Sequence, residues 1–439
     1  MRPPFKASDR GTSLGGPLAM IIANPLLEPL PSLTGVNAIF NALASDPPDR
    51  SPEFWAASVD ARIDHLQSLN GVYVPGEQGR EHFDKLSSVL RAGLARRNPN
   101  DPKTMRLIHA AGIAVTQRRQ GLSKKRIAFL LPAFEASGLF LDGPTGVGKT
   151  MLINRFRASL PVYNEISELA AGKCSIQQVF LVHVSCPSNG TVVGLMVSIL
   201  FEIDQIVGSS YADTAVQKRL PRDICEAYLI SCLWKHFVGI VFVDDIQHLL
   251  KHPHLSDILL QTLCTLMERS RVPIVTAGTY AAEQVIDTKS ALGAKLTGEA
   301  HLKLKAWVQG IDWTRLNKTF WHQRVSQGTL NMPIWLPEES HFHTCGILRL
   351  YRILMKTFLR GLATGAISDV TPDSFATCAK DSLGPYQKSL SVLRRHEAGD
   401  ELTDEEKKEY EDWLPPDDDY VSPKIEKAVL KEIASRRKR

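Results

Sequence analysis

No run of about 18 uncharged apolar residues occurs in this 439-residue chain, and its apolar N-terminal stretch, Leu18 to Leu30, is broken by Pro25 and Pro29. A membrane-spanning helix and a secretory leader are therefore not expected, and a cytoplasmic location is. Cys-x-x-Cys pairs are also missing. The seven cysteines (174, 186, 225, 232, 264, 345, 378) are odd in number and scattered, which argues against a disulfide framework or a zinc site and for reduced thiols packed as small apolar residues. No internal repeat is evident. What is present is a 44% hydrophobic composition over a length that suits two to three globular domains.

Charge is unevenly spread. The net +5 combines an acidic stretch, Glu397 to Pro423, with twelve acids against two lysines, and a basic end, Lys424 to Arg439, with seven bases against two acids. The body that remains is basic, which suits a polyanionic partner.

Along the chain, residues 1–20 are rich in Gly, Pro and Ser and are expected to be disordered. A helical N-terminal domain is expected over 21–131, opening with an extended, proline-punctuated arm, "NPLLEPLPSL". Ser51 and Pro52 are placed to cap and start a helix, and Phe83, Leu86, Val89, Leu90 and Leu94 recur at helical spacing. Over 132–310 the pattern changes. "GLFLDG", "VFLVHVSC", "GIVFVDD", "VPIVTAGT" and "HLKLKAW" are short apolar runs separated by amphipathic stretches, which predicts βαβ units and a doubly wound parallel sheet. Residues 311–396 are predicted as a small helical lid, and 397–439 as a flexible acidic linker followed by a basic C-terminal tail.

The most specific signal is Gly143-Pro144-Thr145-Gly146-Val147-Gly148-Lys149-Thr150, a complete G-x-x-x-x-G-K-[ST] between a predicted strand and a predicted helix, and these residues with Met151 are the expected nucleotide-binding residues. Glycines there let backbone N–H groups wrap phosphates, Lys149 meets the β and γ oxygens, and Thr150 ligates Mg²⁺. Asp244, ending a later strand, is the expected metal-side carboxylate. Asp245 follows where a water-polarising group belongs. It is one methylene shorter than the Glu usual at that position, which predicts slow, switch-like ATP hydrolysis. Thr279, just past the fourth strand, is the candidate contact to the γ-phosphate or attacking water, and Arg349 in "GILRLYRIL" the candidate lid contact to the nucleotide. His252-Pro-His254 and His341-Phe-His343 lack zinc-site spacing and are expected to be solvated loop residues.

These motifs, with "NPLLEPLPSL", "LARRNP", "HVSCPSNGTVVGL", "VFVDDIQHL", "PIVTAGTY" and "VSQGTLNMP", give the chain a pattern that resembles the AAA+ ATPase regulators of Tn-seven-like transposons, the TnsC group and its TniB relatives. The resemblance covers most of residues 20–380. It implies an AAA+ P-loop fold with ATP and Mg²⁺ as cofactors, and homo-oligomeric rings or filaments on double-stranded DNA. It also implies two kinds of protein partner, a TniQ/TnsD-type target selector and transposase subunits, and no membrane. Ser188, Asn189 and Thr191 of "CPSNGT" fall where similar proteins face the DNA backbone. Arg118-Arg119 and Lys124-Lys125-Arg126 are further DNA candidates, and Lys289, Lys295 and Arg315 are candidates for an arginine-finger role. Other readings stay open: a replication loader or initiator, a signalling NTPase or small-molecule kinase that does not act on DNA, and a scaffold without hydrolysis.

Overall fold

The structure is a computed structural model that describes residues 23–32, 35–45, 50–119, 133–135, 137–286, 290–326 and 331–416. The expectations for residues 1–20, for Lys124-Lys125-Arg126, for Lys289, for part of "VSQGTLNMP" and for the basic tail lie outside the described residues, as do the side chains of Arg118 and Arg119.

All five apolar runs form strands. With the hairpin β2 (Tyr163–Leu169) and β3 (Gly172–Val179) counted in chain order, the parallel sheet comprises β1 (Gly138–Asp142), β4 (Leu181–Ser185), β5 (Ile240–Asp244), β6 (Ile274–Ala277) and β7 (Ala300–Lys303), in the order β4-β5-β6-β1-β7. β1, β5 and β6 are buried at every position, as strands covered on both faces must be. One face packs on α1 (Val36–Leu43), α4 (Glu77–Ala95) and α6 (Lys149–Ala158) through Leu139, Leu141, Phe83 and Phe156. The other packs on α7 (Val192–Val207), α9 (Arg222–Lys235) and α10 (Pro253–Ser270) through Phe140, Leu195, Leu233 and Leu263. The chain leaves β1, which lies beside the edge strand β7, and returns to the sheet at the far edge, β4. That jump opens a crevice at the carboxyl ends of the strands, where α/β sheets place their ligands.

The hairpin is a departure from the sequence reading, which joined Val179 to the following strand. β3 ends at Val179 and β4 starts at Leu181; the two hairpin strands pair antiparallel around a turn at Ala170 and Ala171, and Gly172, which opens β3, has a φ of 124° that favours glycine. A second departure is the arm. Asn24 to Leu30 is folded into successive turns rather than extended, with Leu27 N–H bonded to Asn24 O and Leu30 N–H to Leu27 O. Asn24 Nδ2 donates to Leu94 O, Gln178 Nε2 donates to Leu26 O, and Leu26 is fully buried, so the segment packs on the protein's own core.

The single helix expected after Ser51 is divided. Ser51 does cap α2 (Pro52–Ala56), but Ala57 leaves the helix and the Ser58 hydroxyl, accepting from Ala61 N–H at 3.3 Å, starts α3 (Val59–Asp64) afresh, followed by a 3-10 turn, His65–Asn70. This part joins the lid: Leu66, Leu69, Val72 and Val74 share a core with Leu350, Tyr351, Leu354 and Phe358 of α14 (Leu348–Thr364) and with α12 (Ile311–His322), α13 (Leu336–Thr344), α15 (Pro372–Ser382) and α16 (Gln387–Ala398). Arg352 Nη2 donates to Val72 O across the same seam. The buried side chains of α5 (Pro102–Arg119) lie on the opposite side, against α9.

Two further expectations change. Residues 397–416 are not a flexible linker. After α17 (Asp404–Glu409), Tyr410 to Leu414 returns to the core and Leu414 is buried. His341 and His343 lie on α13 rather than in a loop; His341 Nε2 is 2.8 Å from Trp307 O, and His343 Nε2 is 3.5 Å from Glu339. The cysteines follow expectation: all seven are free and six are buried. No helix among the described residues is long and apolar enough to cross a membrane.

Candidate nucleotide site

The phosphate loop runs from β1 into α6, and its glycines are demanded by close neighbours. A Cβ on Gly143 (φ 152°) would lie 2.1 Å from Leu304 O, and one on Gly146 (φ 77°) 2.8 Å from Arg349 Cβ. Lys149 opens α6 and is buried, its Nζ donating to Gly143 O at 2.7 Å and Pro144 O at 3.0 Å. Burial lowers the ammonium to about 8, against the opposing pull of Asp244, Asp142, Asp245 and Asp412. Val147 points into the core beneath the loop and holds it down.

Across the cleft, Thr150 Oγ1 donates to Asp244 Oδ2 at 2.8 Å. Burial alone would raise the Asp244 carboxyl. His183 (Nε2 at 3.6 Å), the Thr150 hydroxyl and the Asp245 N–H (2.9 Å) outweigh it and hold the group below the usual carboxylate value. A hydroxyl and an ionised carboxylate side by side beneath a phosphate loop fit Mg²⁺: Thr150 and Asp244 would hold it, and it would offset the charge of bound phosphates. Asp245 sits in the left-handed region (φ 58°) and accepts from Gln247 Nε2 at 3.1 Å; Gln247 Oε1 in turn accepts from Thr279 N–H at 3.3 Å. Gln247 thus ties the two residues singled out for hydrolysis into one chain, a role that its position two residues after Asp245 does not advertise.

The cleft has a volume of about 540 Å³, within the range of small-molecule sites. Thr145, Gly146, Gly148, Lys149, Thr150, Met151, Asp244, Asp245, Thr279 and Arg349 all line it, while Gly143, Pro144 and Val147 shape the loop from behind. Arg349 is joined to the loop through its own N–H, which donates to Gly146 O at 3.0 Å. Sequence reasoning missed Arg352 and Lys356, which line the same cleft with Arg349. Their i, i+3, i+7 spacing on α14 is the signal that places three cations on one helix face. Asn70 from the N-terminal segment completes that wall, and Lys356 Nζ donates to its Oδ1 at 3.2 Å.

The returning acidic segment closes another side. Thr145 N–H donates to Asp412 O at 2.9 Å, and the Thr279 hydroxyl donates to the Asp412 carboxylate. Gln284 Nε2 donates to Glu411 Oε2 at 2.8 Å.

Ser188, Asn189 and Thr191 stand apart from the cleft, in the loop between β4 and α7. There Asn189 Oδ1 accepts from the Thr191 N–H and hydroxyl, and the Ser188 carbonyl lies 2.9 Å from His252 Nε2. Of the candidate arginine-finger residues within the described chain, Lys295 pairs with Glu268 at 2.6 Å and Arg315 with Asp312 at 2.9 Å.

With this geometry in place, residues 133–286 match the AAA domain family. The matched segment carries the phosphate loop, Asp244 and Thr279 and supports ATPase activity. Among solved structures, the ORC2 protein of Aeropyrum pernix in ADPNP and ADP complexes is similar at 14% identity, covering 62% of this chain and 66% of that one, with a TM-score of 0.37. A Walker-type ATPase of Pyrococcus abyssi is similar at 16% identity, 60% and 72% coverage and a TM-score of 0.40. Domain III of the Thermotoga maritima replication initiation protein DnaA follows at 14%, 64% and 93%, with a TM-score of 0.36. At these scores the likenesses carry no functional argument, and the chain spans just under two thirds of the Aeropyrum protein. No curated protein matches the chain.

Proposed function

We propose that the protein is an ATP-switched regulator of DNA transposition of the TnsC/TniB kind, which assembles as a ring or filament on duplex DNA and links a target selector to the transposase. The observation that supports a switch most directly is the make-up of the cleft wall. Phosphate loop and Asp244 belong to the sheet, whereas Arg349, Arg352 and Lys356 belong to the lid and Asn70 to the N-terminal segment packed on it. Phosphates held by Lys149 and Thr150 would draw the three lid cations toward the sheet, so nucleotide occupancy sets the angle between the two bodies and with it any surface that both contribute to. The loop bearing Ser188, Asn189 and Thr191 supplies hydroxyl, amide and backbone N–H groups suited to phosphate rather than base contact. Recognition of DNA is therefore expected to be independent of sequence and to weaken steeply with salt.

Electron microscopy of the purified protein with linear duplex DNA, without nucleotide, with ATP and with a non-hydrolysable analogue, tests this reading. Rings or filaments only with nucleotide are expected; absence of DNA-dependent assembly in every condition would overturn it and favour a P-loop NTPase that does not act on DNA. The same samples address Asp245. Asp245→Glu extends the carboxylate by one methylene toward the cleft and is expected to raise ATP turnover several-fold, on the order of 1 kcal/mol in the barrier, and to shorten the life of the assemblies with ATP but not with the analogue. An unchanged rate would show that the length of this side chain does not limit hydrolysis.

A further inference from the structure

Behind the phosphate loop, on the opposite face of β1 from Leu139 and Leu141, three side chains converge that the nucleotide site does not use. Asp142 ends β1 and is fully buried. His301 on β7 lies in register with Phe140, whose ring stacks on the imidazole at 4.9 Å, so strand alternation brings His301 and Asp142 to one face. Glu283 reaches the same point from the 3-10 turn Tyr280–Gln284 that follows Thr279. His301 Nε2 lies 3.1 Å from Asp142 Oδ2 and 3.7 Å from Glu283 Oε1.

The contacts are close, yet they are not hydrogen bonds. Neither oxygen of Asp142 nor Nε2 of His301 makes one, although all three atoms are buried. A fully buried carboxylate without a donor is costly, and a histidine 3.1 Å away would normally satisfy it by aiming its N–H at the oxygen. Here the nitrogen and one oxygen of each carboxylate instead lie within 4.8 Å of one another. Ligands bound at about 2.0–2.2 Å in a tetrahedron stand roughly 3.3–3.6 Å apart, and the observed separations bracket that range.

We propose that Asp142, Glu283 and His301 form a binding site for a divalent metal ion, separate from the Mg²⁺ position at Thr150 and Asp244. One imidazole and two carboxylates suit Zn²⁺, with Mn²⁺ as the weaker alternative; Mg²⁺, which prefers an all-oxygen shell and keeps its water, is disfavoured. The ion would cross-link the end of β1, the edge strand β7 and the turn after Thr279, bracing the phosphate loop from beneath. Lys303 Nζ, 3.1 Å from Glu283 Oε1, marks the competing arrangement, in which Lys303 and a proton on Glu283, whose carboxyl is pushed up to about 7 by burial and by Asp142, balance the cluster without a metal.

The test uses the full-length protein freed of metal by chelation and titrated with Zn²⁺, Mn²⁺ or Mg²⁺ in the absence of nucleotide, read by bound metal and by melting temperature. One equivalent of Zn²⁺ with a raised melting temperature is expected, retained in Thr150→Ala. Its affinity should fall more than roughly 100-fold in His301→Gln and in Glu283→Gln, beyond the loss that an outer-shell partner causes. Glu283→Gln lies on a surface turn and keeps the assay informative where a strand variant fails to fold. Co²⁺ in the wild-type protein should give the visible absorption of a tetrahedral site. No Zn²⁺ bound by the wild-type protein, or equal binding by Glu283→Gln and wild type, would overturn the proposal and assign the cluster to the four-group ion network.

Discussion

Lys149→Ala is expected to weaken ATP binding about 100- to 1000-fold and to abolish nucleotide-dependent assembly on DNA. Nζ holds two loop carbonyls in the free protein; with nucleotide bound, those bonds would be exchanged for charge-assisted ones to phosphate, each contributing about 1.5–3 kcal/mol. The same lysine gives the site a pH signature. Because burial lowers it to about 8, it is mostly charged at pH 7 and mostly neutral at pH 9, whereas bound phosphates favour the charged form. Nucleotide binding should therefore take up a proton above pH 8, and ATP affinity should fall about tenfold between pH 7 and pH 9. Calorimetry in buffers of different ionisation enthalpy measures the uptake directly. A pH-independent affinity in the wild-type protein would show that the lysine is already charged in the free site.

The residues of this site that sequence reasoning found are those whose role is local. Gly143 to Thr150 announce themselves because loop, lysine and hydroxyl are consecutive, and Asp244 because it ends a run of apolar residues that can only be a covered strand. The groups it missed act over distance. Gln247 matters through a turn that brings its amide between Asp245 and Thr279, and His183 through the pairing of β4 with β5. The hairpin strands β2 and β3 are mostly polar, so they lack the apolar run that marked the central strands. Residues 24–30 appeared extended because two prolines forbid a helix; successive turns meet the same restriction while burying Leu26. For the acidic segment, composition alone points to disorder and the structure departs from it. Within it, Thr403-x-x-Glu406 is a capping box, with Thr403 N–H to Glu406 at 3.0 Å and Glu406 N–H to Thr403 Oγ1 at 3.2 Å. Arg395 reaches Glu406 at 2.6 Å and fixes the turn back toward the core. High net charge forecasts disorder only where such partners are absent.

That return gives the second large effect. Asp412 lies across the mouth of the phosphate loop, its carbonyl on Thr145 N–H and its carboxylate on the Thr279 hydroxyl, close enough to act on the charge of Lys149. A fixed negative charge at that place opposes the terminal phosphate of ATP and occupies the hydroxyl proposed to contact it. Asp412→Asn keeps an acceptor for Thr279 and the backbone bond to Thr145 but removes the charge, which isolates electrostatics from packing. At an effective dielectric constant near 20 and a separation of several ångströms, removing the repulsion is worth about 1–2 kcal/mol. ATP affinity is accordingly expected to rise about tenfold, with a smaller rise for ADP and a difference that shrinks with salt. Thr403→Ala provides an independent route to the same state. Losing the cap, at about 1 kcal/mol, should loosen residues 404–414 and raise ATP affinity without touching the cleft. Titrations of ATP and ADP against both variants decide the matter: equal effects on the two nucleotides, or none, would mean that the segment covers the loop without facing the terminal phosphate.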